Sequence, residues 1–377
     1  MIQFILESDR ELFEEALRFA QHQVRKVIEA HPDFYPMYTN NGHWKHDGPV
    51  WSNWSDGFFP GMMWIFHKRN VRNGDVKDSF WMEQAIRYTT PLEPRQHDRD
   101  AHDLGFVFLS TYYRWYQLTR DPKFKDVLVQ AGRTEACRFK ENGQYLHSSI
   151  GENSIFIDVM MNVGIIFYAA RETGDRHLRD LALRHCLTTR RFLVRGDGST
   201  AQEGIFDLET GEFLRKTAQQ GYRSDSCWSR GLAWALYGFA VSYEYSRDPR
   251  FLETAEACAD YFITHSNGDG VPPWDFNAPP DSRGLIDTSA AAIAASGLLR
   301  LCRLLQDPLK GHYYWSTAIL ILRTLCEKHL AKKDKKWEGV LKGGVYHLHK
   351  EIGVDESVMW GEYFFTEALE QALQQLT

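Results

Sequence analysis

Apolar residues recur along this chain with the period of a helix in twelve stretches: 8–30, 57–70, 76–90, 103–118, 123–138, 158–173, 176–192, 229–245, 249–266, 287–305, 310–331 and 359–376. The stretches alternate in character. Those at 57–70, 103–118, 158–173, 229–245, 287–305 and 359–376 are apolar nearly all round, the pattern of a buried helix, whereas their partners carry stripes of Lys, Arg and Glu. One turn phrase recurs between them: RNGD at 72–75, TRDPKF at 119–124, TGDRHL at 173–178, SRDPRF at 246–251 and QDP at 306–308. In each, Asp is placed to cap the following helix, and a Pro after it supplies the φ favoured at the first helical position. The first stretch opens with Ser8 three residues before Glu11, the spacing of a capping box. Six buried helices alternating with six surface ones predict an all-α fold. Its expected form is an (α/α)6 toroid of six inner and six outer helices, with residues 1–377 as one domain. GDGSTAQEGIFDLETGEF at 196–213 has Gly and Asp at its turns and predicts a small β-hairpin.

In such a toroid the residues before the inner helices gather at one end, so any chemistry is expected there. They read WSNWSDGFF at 51–59, HDRDAHDLGF at 97–106, SIFIDVMMN at 154–162, SCWSRGLAWALYG at 226–238, GLIDTSAAA at 284–292 and SVMWGEYFF at 357–365. Long polar loops at 31–50, 139–157, 196–228, 267–286 and 332–358 converge on the same end. Asp56, Asp103, Asp158 and Asp287 each start an inner helix, where a carboxylate ordinarily caps backbone N–H groups. Asp158 departs from that role because it sits between Ile155-Phe156-Ile157 and Val159-Met160-Met161, whose burial would raise its pKa toward that of a general acid. Asp103 follows the polar run HDRDAH and is expected to be solvated and ionised, which suggests a divided acid and stabiliser pair. Arg230 lies at the head of an apolar helix, a costly place for an unpaired cation, so it either pairs with an Asp such as Asp225 or receives an anionic ligand, with Trp228 and Trp234 flanking it.

Composition narrows the field. With 44 basic residues against 50 acidic ones, a net charge of -6 and no basic block, the chain has no footprint for nucleic acid. No run approaches the ~18 apolar residues of a membrane span, and no basic-then-apolar leader begins the sequence, so a soluble, cytoplasmic protein is expected. The six cysteines, Cys137, Cys186, Cys227, Cys258, Cys302 and Cys326, are scattered without a CxxC pair and read as buried free thiols. The cluster His97, Asp98, Asp100, His102 and Asp103 lacks any fixed ligand spacing, so neither metal nor cofactor is expected. Aromatic residues make up 14% of the chain, with 12 Trp, a density that suits both helix packing and stacking on sugar faces. Trp81, Trp115 and Trp315 fall inside helical patterns and are expected to pack.

WSDGFFPGMMW, HDLGF, IDVMMN, RRFLVRGDGS, QQG followed by WSRGLAWALYGFA, PWDF, DTSAAAIAASGLL and WGEYFFTEAL, in that order over nearly the whole chain, resemble the unsaturated glucuronyl hydrolases of glycoside hydrolase family 88. Family 105, acting on unsaturated rhamnogalacturonyl ends, shares the toroid and the paired Asp. The resemblance implies a catalytic domain that removes a 4,5-unsaturated uronic acid from the non-reducing end of lyase-generated oligosaccharides by hydrating the enol-ether double bond. It also implies that Asp158 donates a proton to C4 and that Asp103 positions the sugar and stabilises positive charge. Arg230 and Gln220 would contact the uronate, Trp54 and Trp234 would wall the pocket, Trp228 would support Arg230, and His102 would contact substrate beside Asp103. The implied partner is an unsaturated uronyl oligosaccharide, and the chain is expected to act as a monomer or homodimer. Gln202, Gln219 and Ser148 depart from the family pattern, at positions that bear on the aglycone. Sugar epimerisation, which uses paired His, and non-catalytic uronate binding are the readings from other classes.

Overall fold

The computed structural model describes residues 6–46, 53–75, 79–279, 282 and 284–374. Residues 51–52 of the expected loop 51–59, 76–78 of the stretch 76–90, 375–376 of the stretch 359–376, and part of the loops 31–50 and 267–286 lie outside them.

The inner helices are α2 (Phe58–Arg72), α4 (Leu104–Ser110) continued by α5 (Tyr112–Thr119), α7 (Val159–Thr173), α9 (Ser229–Ser246), α11 (Thr288–Leu301) and α13 (Met359–Gln374). The outer helices are α1 (Glu7–Ala30), α3 (Phe80–Thr89), α6 (Pro122–Ala136), α8 (Arg176–Phe192), α10 (Pro249–His265) and α12 (Pro308–Thr324). α2 packs on α4, α4 on α7, α7 on α9, α9 on α11, α11 on α13, and α13 back on α2, which closes the inner ring. Each outer helix leans on an inner one, and the fold is the expected (α/α)6 toroid.

The repeated turns explain the outer helices. Asp121, Asp175, Asp248 and Asp307 each accept a backbone N–H from the first turn of the helix that follows, with Pro next in three of the four. The fifth phrase differs: α3 begins only at Phe80, beyond Asp75 and residues 76–78. The Ser8/Glu11 box does not form either. The Leu6 carbonyl already accepts the N–H groups of Asp9 and Arg10, so α1 starts before Ser8. The stretch 103–118 breaks at Thr111, where the hydroxyls of Ser110 and Thr111 donate back to carbonyls of Phe106 and Val107. Trp81 and Trp315 are buried, and Trp115 stacks between Trp64 and Phe124. Five cysteines are buried free thiols, whereas Cys137 at the end of α6 is exposed.

Glycines let the inner helices come close. A Cβ on Gly105 of α4 would stand 2.5 Å from the Asn162 Cα of α7, and one on Gly238 of α9 would stand 2.5 Å from the Met160 carbonyl oxygen. On the toroid axis the rings of Phe58, Phe106, Trp234 and Phe364 form a closed circuit with centroids 5.0–5.7 Å apart. This aromatic layer divides the axis into two cavities.

Short strands decorate the end where the inner helices begin. The expected hairpin is the pair β6 (Glu203–Phe206) and β7 (Phe213–Thr217), which gains a third, antiparallel strand, β5 (Ser154–Phe156), from the loop before Asp158. A further hairpin, β8 (Gly344–His347) with β9 (Ile352–Glu356), forms within the loop 332–358.

Candidate active site

The cleft at the strand-bearing end has a volume of about 90 Å³ and is lined by Trp54, His102, Asp103, Asp158, Gln220, Trp228, Arg230 and Trp234. All eight residues singled out in the sequence therefore meet in one place. Phe106, Ser149, Ile150, Phe156, Gln219, Tyr346 and His347 complete the lining.

Asp103 and Asp158 occupy helix N-terminal positions, yet neither side chain accepts a capping hydrogen bond. Asn162 of α7 explains part of this. Its Oδ1 accepts the Phe106 N–H at 2.7 Å in the first turn of α4, and its amide donates to the Asp158 carbonyl at 3.3 Å. One side chain from the neighbouring helix thus satisfies α4 and leaves the Asp103 carboxyl to face the cleft. Burial is the dominant influence on both acids: it pushes Asp103 up to about 7 and Asp158 up to about 6. The polar run before Asp103 does not solvate it, because Arg138 donates to the Arg99, Ala101 and His147 carbonyls and folds that run over the site. Asp103 is 7% exposed, and the expectation of a well-solvated carboxylate is corrected accordingly.

His102 stands between the two acids, with Nε2 3.5 Å from Asp103 Oδ1 and 3.7 Å from Asp158 Oδ1. Its Nδ1 accepts the Ser149 backbone N–H at 2.8 Å, which leaves the ring hydrogen on Nε2, facing the carboxyls. Burial lowers its pKa, so the imidazole is neutral.

Arg230 is 1% exposed. It donates to the Val345 and Tyr346 carbonyls of β8 and to Gln220 Oε1, and lies over the rings of Trp228 and Trp360. Its carboxylate neighbour is Asp287, at 3.5 Å, and not Asp225, which pairs with Arg223 at 2.6 Å. Asp287 is also the one among these four aspartates whose carboxylate caps its own helix, accepting the Ser289 N–H. Trp54 donates to the Tyr346 hydroxyl at 3.2 Å and packs on Trp360 and Phe106. Asp56 lies 3.5 Å from Arg95, and burial pushes it up to about 7.

The other axial cavity, about 590 Å³, lies below the aromatic layer among the later turns of the inner helices. It is the larger of the two, but its Glu244, Glu367 and Glu370 are each tied to an arginine. The smaller cleft carries the lightly bonded carboxyls and is the candidate site. Among the described residues no group of three His, Cys, Asp or Glu side chains is arranged to hold a metal ion.

Tyr346 and His347 were invisible to helical periodicity because they belong to a strand. The pair of glycines before Val345-Tyr346-His347 was the available signal for a hairpin there. Ser149 and Ile150 reach the cleft only because the loop after β4 (Tyr145–Leu146) folds back over His102.

The family profile of Glycosyl Hydrolase Family 88 matches residues 20–269. The unsaturated glucuronyl hydrolase of Formosa agariphila is 31% identical over 330 residues, covering 85% of this chain and 80% of that protein. The crystal structure of an unsaturated glucuronyl hydrolase specific for heparin superposes with a TM-score of 0.88 at 29% identity, covering 97% of each chain. A variant of the Streptococcus agalactiae unsaturated glucuronyl hydrolase complexed with dGlcA-GalNAc6S superposes with a TM-score of 0.80 at 29% identity, covering 95% of this chain and 90% of that one. No described helix is long and apolar enough to cross a membrane.

Proposed function

The chain belongs to Glycosyl Hydrolase Family 88, and from that premise we propose that it removes a 4,5-unsaturated uronic acid from the non-reducing end of lyase-generated oligosaccharides by hydrating the sugar's double bond. The observation that carries this reading is the convergence of a buried carboxyl, Asp103, a partly buried one, Asp158, and a buried guanidinium on a single aromatic-walled cleft. Epimerisation and non-catalytic binding do not account for the family.

The substrate ring is an enol ether conjugated to a carboxylate. Asp158 transfers its proton to C4, and positive charge develops at C5 and the ring oxygen, where the Asp103 carboxylate stabilises it. Water adds to C5 and returns its proton to Asp158. The resulting hemiketal opens to a ketone, and the hemiacetal left at C1 releases the aglycone as an alcohol. The glycosidic bond is therefore never displaced directly, and the separation rule for ordinary glycosidase carboxyls does not apply.

In the free chain Arg230 pulls the Asp158 pKa down, while Arg95 and Arg138 pull on Asp103. The reaction needs the proton on Asp158 and Asp103 ionised, and a uronate docked on Arg230 offsets that arginine's pull on Asp158. His102 turns the polar N–H of Nε2 toward both carboxyls, 3.5 Å from Asp103 and 3.7 Å from Asp158.

Asp158→Asn is expected to bind an unsaturated disaccharide while turnover falls by ~100-fold or more. The check is loss of the enoate's ultraviolet absorbance across a panel of lyase-generated disaccharides, with binding measured by calorimetry. Turnover at the unsubstituted rate in that variant would remove Asp158 from the reaction.

A further inference from the structure

The loop between β7 and α9 supplies one wall of the cleft through Gln219 and Gln220. Its anchor is Gln202, just before β6, a 4% exposed side chain that does not itself line the cleft. Gln202 Oε1 accepts three successive backbone N–H groups, from Gln219 at 2.8 Å, Gln220 at 2.8 Å and Gly221 at 3.1 Å. Three convergent N–H groups make a concavity suited to an anion, and here a neutral amide oxygen from the chain itself occupies it. The donors also fix which end of the amide is which, since only its oxygen accepts. The Nε2 end is buried with no hydrogen-bond partner, so the oxygen is the end that is used.

The rest of the residue is equally placed. The Gln202 carbonyl accepts the N–H of Ile157, which precedes Asp158, at 3.0 Å. Across the loop, Gln220 Oε1 accepts from Arg230 Nη2. The neighbouring Glu203 adds a second tie, accepting from Thr217 Oγ1 and Gln219 Nε2. A single residue therefore joins the segment before the acid, through its backbone carbonyl, to the loop that meets the guanidinium, through its side chain.

We propose that Gln202 is a positioning residue for uronate recognition, gathering the N–H groups of 219–221 so that Gln220 stays on Arg230 and the guanidinium is aimed at the substrate carboxylate. This rests on the reaction proposed above. An anchor with a merely structural role would lower stability and leave the kinetic constants alone, so the test reads recognition directly.

Gln202→Met keeps the length of the side chain and removes the accepting oxygen. The expected result is a KM for an unsaturated uronyl disaccharide raised about 10-fold with kcat held within about 2-fold. Gln220→Ala is expected to raise KM similarly, and the double variant to be no worse than Gln220→Ala alone, because one residue acts through the other. Without substrate, amide hydrogen exchange is expected to lose protection at 219–221 in Gln202→Met and keep it in Gln202→Glu, which retains an accepting oxygen. Gln202→Asn, too short to reach the three donors, reads the same way should the methionine variant misfold. An unchanged KM, or KM effects that multiply in the double variant, overturns the proposal. Should the unsubstituted protein not turn over the disaccharide at all, it is the reaction that falls, and unchanged protection at 219–221 in Gln202→Met still overturns the anchor.

Discussion

Asp103 and Asp158 stand where a helix start ordinarily turns a carboxylate into a cap, and neither caps. What distinguishes them from Asp287 is where the competing donors go: Asn162 takes the first-turn N–H of α4, and nothing draws the Asp103 carboxyl back. Burial then holds the Asp103 proton up to about 7, against an ordinary 3.8. Between those values the folded chain keeps a proton that the unfolded chain has released, so this group's contribution falls as pH rises through the window and levels off above it. Asp103→Asn, which has no proton to lose, is expected to gain on the unsubstituted protein by on the order of 2 kcal/mol at pH 8, the gap closing below about pH 4. Thermal unfolding followed across that range measures it. The same titration governs activity: kcat/KM is expected to fall as pH rises through about 6 to about 7, where the pair loses its last proton.

At the scale of helices, the recurrent Asp and Pro of the turns and the apolar-all-round stretches marked the elements because both act locally, within one turn of chain. Elements that need a distant partner were harder to read. The strand Ser154–Phe156 pairs only when Glu203–Phe206 is beside it, and Arg230 finds Asp287, far along the chain, in preference to the sequence neighbour Asp225. Gln202 likewise acts on residues 17–19 positions away. The glycines within inner helices were visible, but their purpose was not, since a seam between helices has no signature in either helix alone. Gly238→Ala is expected to destabilise by about 1–3 kcal/mol through overpacking against the Met160 carbonyl, measured by urea unfolding. A loss below a few tenths would mean that the seam relaxes without strain.

For the whole molecule the decisive contact is the one that makes six helices a ring. α13 returns to α2 through Glu370, which receives Arg69 at 2.9 Å and Arg72 at 2.5 Å, with Arg69 4% exposed and also bonded to Glu14 of α1. Glu370→Ala leaves Arg69 buried with half of its partners, and a loss of about 2 kcal/mol is expected, short of the full penalty for an orphaned charge. Denaturant titration checks it, and added salt should change the loss little because the pair is shielded from solvent.

The aromatic layer of Phe58, Phe106, Trp234 and Phe364 has a consequence for how the enzyme meets polymers. With the axle plugged, the cleft is a cul-de-sac: whatever enters must back out through the same doorway. No strand of sugars can thread past the acids, which fits the removal of a single unsaturated terminal ring and keeps internal linkages out of reach.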